Sequence, residues 1–128
     1  MKIFWRNEFG ICQVESVAAR TLFHRGENLM IHEKVSLTRK MADAYIIPLG
    51  IANIVAVVTD VGMVGCGAFD VAGMDKLDYP AAKVGGKQGG PVVTIADLLE
   101  GIVREVNQAG GKRGIRTHMT GREALELL

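Results

Sequence analysis

Cys66 stands between two glycines, in Gly65-Cys66-Gly67, and Asp70 follows shortly after. A cysteine becomes a nucleophile when a neighbouring cation, a base or a helix N-terminus lowers its thiol pKa. His24, His32 and His118 could supply such a partner, but none is paired with Cys66 locally. The competing reading is a small buried hydrophobe packed between glycines. Asp60, Asp70, Asp75 and Asp78 are carboxylates that could hold a metal, yet no spacing among them and the histidines matches a metal motif. Asp60 is explained by a turn, and Asp75 and Asp78 by solvent. No metal and no cofactor is called for.

Two further places suit an anion. In Gly85-Gly86-Lys87-Gln88-Gly89-Gly90, a lysine sits among glycines just before a predicted helix. The backbone N–H groups, including those of Gly89 and Gly90, can cradle an anion together with Lys87. The stretch is not a P-loop, because Gly-Lys-Ser/Thr is missing, and a mobile surface loop is the simpler reading. Lys112, Arg113, Arg116, His118 and Arg122 crowd the C-terminal part of the chain. No aromatic residues interleave them, so a single-stranded nucleic acid is a poor fit. Arg122 differs from the rest by lying inside a helix-capping sequence, where it can pair with Asp70 or bind an anion.

The element that must position these groups is a hairpin. Ile54–Val58 is an apolar, β-branched run that suits a strand covered on both faces. Thr59-Asp60-Val61-Gly62 reads as a type I turn, and Met63–Phe69 as the returning arm. Alternation puts Val64, Cys66, Ala68 and Asp70 on one face, and Met63, Gly65, Gly67 and Phe69 on the other. The two glycines leave that second face bare, as where a backbone or ligand approaches closely.

Around the hairpin, strands are predicted over Leu29–Leu37, Ala44–Leu49 and Ala81–Val84, with a brief pairing at Val92-Val93 and a helical turn within Ala72–Asp78. Pro48 puts its strand at an edge or at its end. Thr94–Ala109 is predicted as one long helix. Thr94 is its N-cap, Ile95, Leu98, Leu99, Ile102 and Val106 form its stripe, Glu100 and Arg104 pair across a turn, and Gly110-Gly111 stops it. Thr120-Gly121-Arg122-Glu123 is a capping box that opens a short last helix. Nearer the start, Lys2–Arg6 reads as a strand and residues 11–24 as a helix with Ile11, Val14, Ala18 and Leu22 on one face.

At 128 residues and nearly half apolar, the chain predicts one domain with an aliphatic core, since it holds only four Phe, two Tyr and one Trp. Its formal net charge of +1 gives no electrostatic footprint for nucleic acid or an anionic membrane. No apolar run has the length of a membrane span, and the N-terminus lacks a signal-peptide layout. Cys12 and Cys66, with no export signal, are expected as free thiols in a cytoplasmic protein.

Asn53-Ile54-Val55, Gly62, Cys66-Gly67, Asp70-Val71, Ala81-Ala82-Lys83-Val84, Thr94-Ile95-Ala96-Asp97-Leu98-Leu99 and Thr120-Gly121-Arg122-Glu123-Ala124-Leu125 occur in one order. That series resembles the YunC-like family, small bacterial and archaeal proteins of unknown function. The resemblance covers about residues 31–128. Residues 1–29 read as an extension beyond the family's usual start, with Met30 as an alternative beginning, and 30–128 as the core. It implies a compact α+β domain and no established activity. Asn53, Cys66, Gly67, Asp70 and Arg122 all stand in the series and are the ligand-binding candidates; Lys87, Gly89 and Gly90 are the anion-binding ones.

The expected architecture is α+β, a mostly antiparallel sheet packed against one long and one or two short helices. Spare apolar faces predict a homo-oligomer. Three functions remain open: a module for a small anionic ligand, an enzyme using Cys66 or Asp70, and a structural subunit.

Overall fold

The structure, a computed structural model, describes residues 29–128. The expected strand at Lys2–Arg6 and helix at 11–24 lie outside them. The described elements are β1 (Ile31–Ser36), β2 (Met41–Pro48), β3 (Asn53–Val58), β4 (Met63–Gly65), a 3-10 turn (Gly73–Leu77), β5 (Ala81–Gly85), α1 (Ile95–Glu100), β6 (Ile102–Val106), α2 (Gln108–Lys112) and α3 (Gly121–Glu126). The strands form one six-stranded sheet in chain order. All neighbours are antiparallel except β4 and β5, which run parallel with Met63 opposite Ala81. The fold is therefore α+β with a mixed sheet and short helices.

Alternation sorts the side chains. Ala42, Ala44, Ile46, Val55, Val57, Val64, Ala82, Val84 and Val103 join Leu98, Ala124, Leu125 and Leu128 in one core, beneath α1 and α3. The small residues Ala42, Ala44 and Ala82 let the helices sit close. Leu98 is fully buried at the centre, and truncating such a leucine costs roughly 2–5 kcal/mol. A smaller cluster on the opposite face gathers Ala56, Met63, Val71 and Ala81 under Phe69, Met74 and Tyr79.

The hairpin forms as expected, with Thr59 N–H donating to Gly62 O at 2.8 Å across the turn. Thr59 Oγ1 also accepts from Val61 and Gly62 N–H, each at 3.1 Å. The returning arm is shorter than predicted, because β4 stops at Gly65. Cys66 N–H still donates to Val55 O at 3.0 Å, and then the chain turns, with Phe69 N–H donating to Cys66 O at 3.4 Å. Pro48 ends β2. No strand forms at Val92-Val93; Val92 is buried in the main core instead.

The long helix over Thr94–Ala109 is not formed. Its capped start is correct: Thr94 Oγ1 accepts from Asp97 N–H at 3.0 Å, and Asp97 Oδ2 accepts from Thr94 N–H at 3.1 Å. The helix ends at Glu100, and the chain continues as β6, antiparallel to β5. A Cβ at Gly101 would lie 2.7 Å from Gly85 O, so only glycine lets the chain turn against β5 there. Ile102-Val103-Arg104-Glu105-Val106 is short and β-branched, and its apolar spacing fits a strand as well as a helix. The Glu100–Arg104 pair is consequently absent, and Gly110-Gly111 lies within α2 rather than ending the longer helix.

Asn107, which follows β6, ties this half together. Its Oδ1 accepts from Ala81 N–H at 3.1 Å and Gly110 N–H at 2.8 Å. Its Nδ2 donates to Val71 O at 2.9 Å and Tyr79 O at 2.8 Å. The side chain is 5% exposed with its acceptor and both donor hydrogens engaged. Asp75 adds a second clamp, its carboxylate accepting from Gln108 and Ala109 N–H, each at 3.0 Å, at the start of α2.

Candidate functional site

The hairpin candidates are dispersed into structural roles. Cys66 is buried in the main core, and its Sγ accepts weakly from Val55 N–H at 3.5 Å. The bare face at Gly65 is filled from within the chain, since a Cβ there would overlap the Phe69 ring. Gly67 lies in an exposed turn with nothing near its Cβ position. Asn53 Nδ2 donates to Val93 O at 3.0 Å. Asp70 Oδ1 accepts from Gly73 N–H at 3.1 Å and so opens the 3-10 turn. Arg122 Nη1 donates to Ser36 O at 3.3 Å. Among the described residues Asp70 and Arg122 make no ion pair, and the depression that Arg122 lines includes neither Cys66 nor Asp70.

Asp60 and Asp43 are also engaged in the scaffold. Asp60 accepts from Lys40 Nζ at 2.6 Å, which holds its carboxyl below the ordinary range. On the outer strands, Lys34 and then His32 do the same to Asp43, at 2.7 and 2.9 Å, while the His32 ring stacks on Tyr45 at 4.8 Å. Asp43 in turn raises the Lys34 ammonium above its usual value. Exposed pairs of this kind add little stability. Among the described residues no three of His, Cys, Asp and Glu converge as a metal-ligand set.

The anion-binding candidates fare differently. Gly86 N–H donates to Gly90 O and Gly89 N–H to Gly86 O, each at 3.0 Å, so the glycine segment closes on itself. Gly89 has φ +80°, the left-handed conformation that glycine adopts without strain. Arg104, on β6, donates from Nη2 to Gly86 O at 3.4 Å. The segment thus holds Lys87 and Gln88 at its tip beside α1.

α3 brings Arg122 to the same place. Thr120 Oγ1 accepts from Glu123 N–H at 3.1 Å, and Glu123 Oε1 accepts from Thr120 N–H at 2.9 Å. Gly121 N–H donates to Gly101 O at 2.9 Å. A Cβ at Gly121 would collide with Leu98 O, so the two helices cross at that glycine. Arg122, the next residue, then reaches the flank of α1. A depression of about 330 Å³ is lined by Lys87, Ala96, Leu99, Glu100, Thr120 and Arg122. A second, about 520 Å³, adjoins it through Lys87 and Glu100 and runs along Gly86, Gln88, Gly90, Pro91 and Asp97. Together they form one groove.

Lys87, Glu100 and Arg122 are all exposed. Among the described residues the side-chain ion pairs are His32–Asp43, Lys34–Asp43, Lys40–Asp60 and Lys83–Glu105, so none of the three groove charges is paired. Asp97 is committed to its cap, where Val93 N–H, with Thr94, holds its carboxyl below the usual range. Arg113 lies apart from the groove, in a depression with Arg39, Lys40 and Leu128, so the C-terminal cations do not form one cluster with Arg122. Sequence reasoning singled out Lys87 and Arg122 separately. It missed Glu100 as a groove residue by assigning it to a pair with Arg104, and no sequence signal linked Thr120 to Lys87.

The fold and groove define a small α+β domain, a mixed six-stranded sheet with α1 and α3 on one face. Residues 65–128 match the family described as a domain of unknown function (DUF1805), and the chain belongs to that family. Over 73 residues it is 40% identical to "Uncharacterized protein YunC" of Bacillus subtilis (strain 168), spanning 57% of this chain and 71% of that protein. The crystal structure of a protein of unknown function, TA1206 from Thermoplasma acidophilum, superposes with a TM-score of 0.67 at 23% identity, covering 76% of this chain and 90% of that one. That likeness is one of fold.

Proposed function

We propose that the chain is a small ligand-binding module whose groove takes an anionic group, a phosphate or carboxylate, between Lys87 and Arg122. One observation carries this reading: two cations distant in sequence line one depression, and neither is paired with a carboxylate among the described residues. The closed glycine segment and the Gly121 crossing fix the backbones that carry them, which lowers the ordering cost of binding. An exposed site of this kind is expected to bind inorganic phosphate only at about millimolar Kd, more weakly as salt rises. NMR titration with phosphate tests it. Saturable shifts around Lys87, Arg122 and Thr120 are expected, with affinity reduced about ten-fold or more in Lys87→Gln and Arg122→Gln. Equal binding by the wild type and both variants would overturn it.

An enzymatic role through Cys66 or Asp70 draws no comparable support, because the thiol is buried and Asp70 caps a turn. We infer a single domain with 30–128 as its core, on the contacts that join its ends: Thr38 with Glu126 and Lys40 with Leu128. Self-association is the second reading, favoured by the exposed Ile47, Leu49 and Ile51 around the β2–β3 turn. Light scattering on the eluted protein checks it, a monomer being the contrary result. A cytoplasmic location fits the free buried thiol of Cys66.

A further inference from the structure

We propose that the groove selects ligands that carry an ammonium group as well as an anion, with Glu100 accepting the ammonium. The inference rests on the reading of Lys87 and Arg122 as the anion-holding pair. Glu100 lines both halves of the groove. Arg104, the partner expected from the sequence, sits on β6 and donates to Gly86 O instead. Glu100 is also the last residue of α1, where the final carbonyls already make the helix end negative. A carboxylate there works against its own helix, and a position that departs from a local rule without an ion pair among the described residues points to a role outside the scaffold.

The consequence for ligands is electrostatic. A bare phosphate brought between Lys87 and Arg122 meets the negative field of Glu100, whereas a zwitterion offers each charge an opposite partner. Ala96, Leu99 and Glu100 lie three and four residues apart, so they share one helix face. The ligand body between the two charges therefore runs along an apolar wall, which suits a short aliphatic chain. Amino acids and phosphorylated amines both answer this description, and their anionic groups distinguish them.

Calorimetric titration of the full chain against matched pairs tests the proposal: O-phosphoethanolamine with ethyl phosphate, and leucine with 4-methylpentanoate. The ammonium-bearing member of at least one pair is expected to bind about ten-fold tighter than its amine-free partner. In Glu100→Gln that advantage disappears, and inorganic phosphate, relieved of the carboxylate's repulsion, binds more tightly than to the wild type. If the amine confers no advantage while phosphate still binds, the selectivity is overturned and the anion site stands. If neither phosphate nor a zwitterion binds, both fall.

Discussion

Asn107 and the Lys87–Arg122 groove place polar groups on the same small scaffold in opposite conditions. Asn107 is nearly shut away from solvent, and its amide meets two N–H groups and two carbonyls from three separate segments. Asp75, nearby, divides its carboxylate between two backbone amides. In the groove, Lys87 and Glu100 lie exposed outside every ion pair among the described residues, and Arg122 makes one long contact to Ser36 O. The difference teaches that residue type alone does not separate scaffold from site. What separates them is how much hydrogen-bonding and charge capacity the fold has already used.

The largest effect should come from breaking the satisfied side. Asn107→Ala strands the N–H groups of Ala81 and Gly110 and the carbonyls of Val71 and Tyr79, and each orphaned buried group costs roughly 1–3 kcal/mol. Urea denaturation should show a loss of about 3 kcal/mol or more, or a protein that does not fold. Were Asn107→Ala nearly neutral, the contrast with the groove would collapse. A middle effect is expected at the cap of α1, where Thr94→Ala should cost about 1 kcal/mol.

Acid probes the same cap. The Asp97 carboxyl is held low in the folded chain, chiefly by Val93 N–H. Its contribution is therefore fully present above the ordinary carboxylate pKa of about 4, and is lost as pH falls through the lower folded value. Asp97→Asn should flatten that part of the stability profile. The smallest effect belongs to the groove: Lys87→Gln with Arg122→Gln should leave stability within about 0.5 kcal/mol of the wild type while phosphate binding is lost. A large drop in stability would mean that these cations belong to the scaffold after all.

Much of the architecture was legible where local signals agreed. The β3–β4 hairpin followed from Ile54–Val58 and the Thr59–Gly62 turn, the start of α1 from its N-cap Thr94, and the start of α3 from the capping box of Thr120 with Glu123. The failure came where two periods overlapped. Ile102 and Val106 extend the helical stripe of Ile95, Leu98 and Leu99, but Val103 faces the core and pairs with Val84. The decision between helix and strand rests on β5 backbone crossing beside Gly101, a tertiary contact that no local window contains. The groove was half legible for the same reason. Lys87 and Arg122 each looked like an anion ligand, but their meeting depends on two helices crossing at Gly121. Of the two glycines expected to admit a backbone or ligand, Gly65 is approached by the chain's own Phe69 side chain and Gly67 by nothing.

The two margins of the sheet differ. Beside β6, Val103 N–H donates to Met119 O at 2.7 Å and His118 N–H donates to Val103 O at 3.0 Å, so the residues leading into α3 lie along that flank. Among the described residues, β1 has no strand on its outer side, whereas β6 is covered in part. Within the described residues, a strand added beside β1 would find open backbone groups to pair with. Two copies paired through β1 about a two-fold axis would each cover the other's open margin.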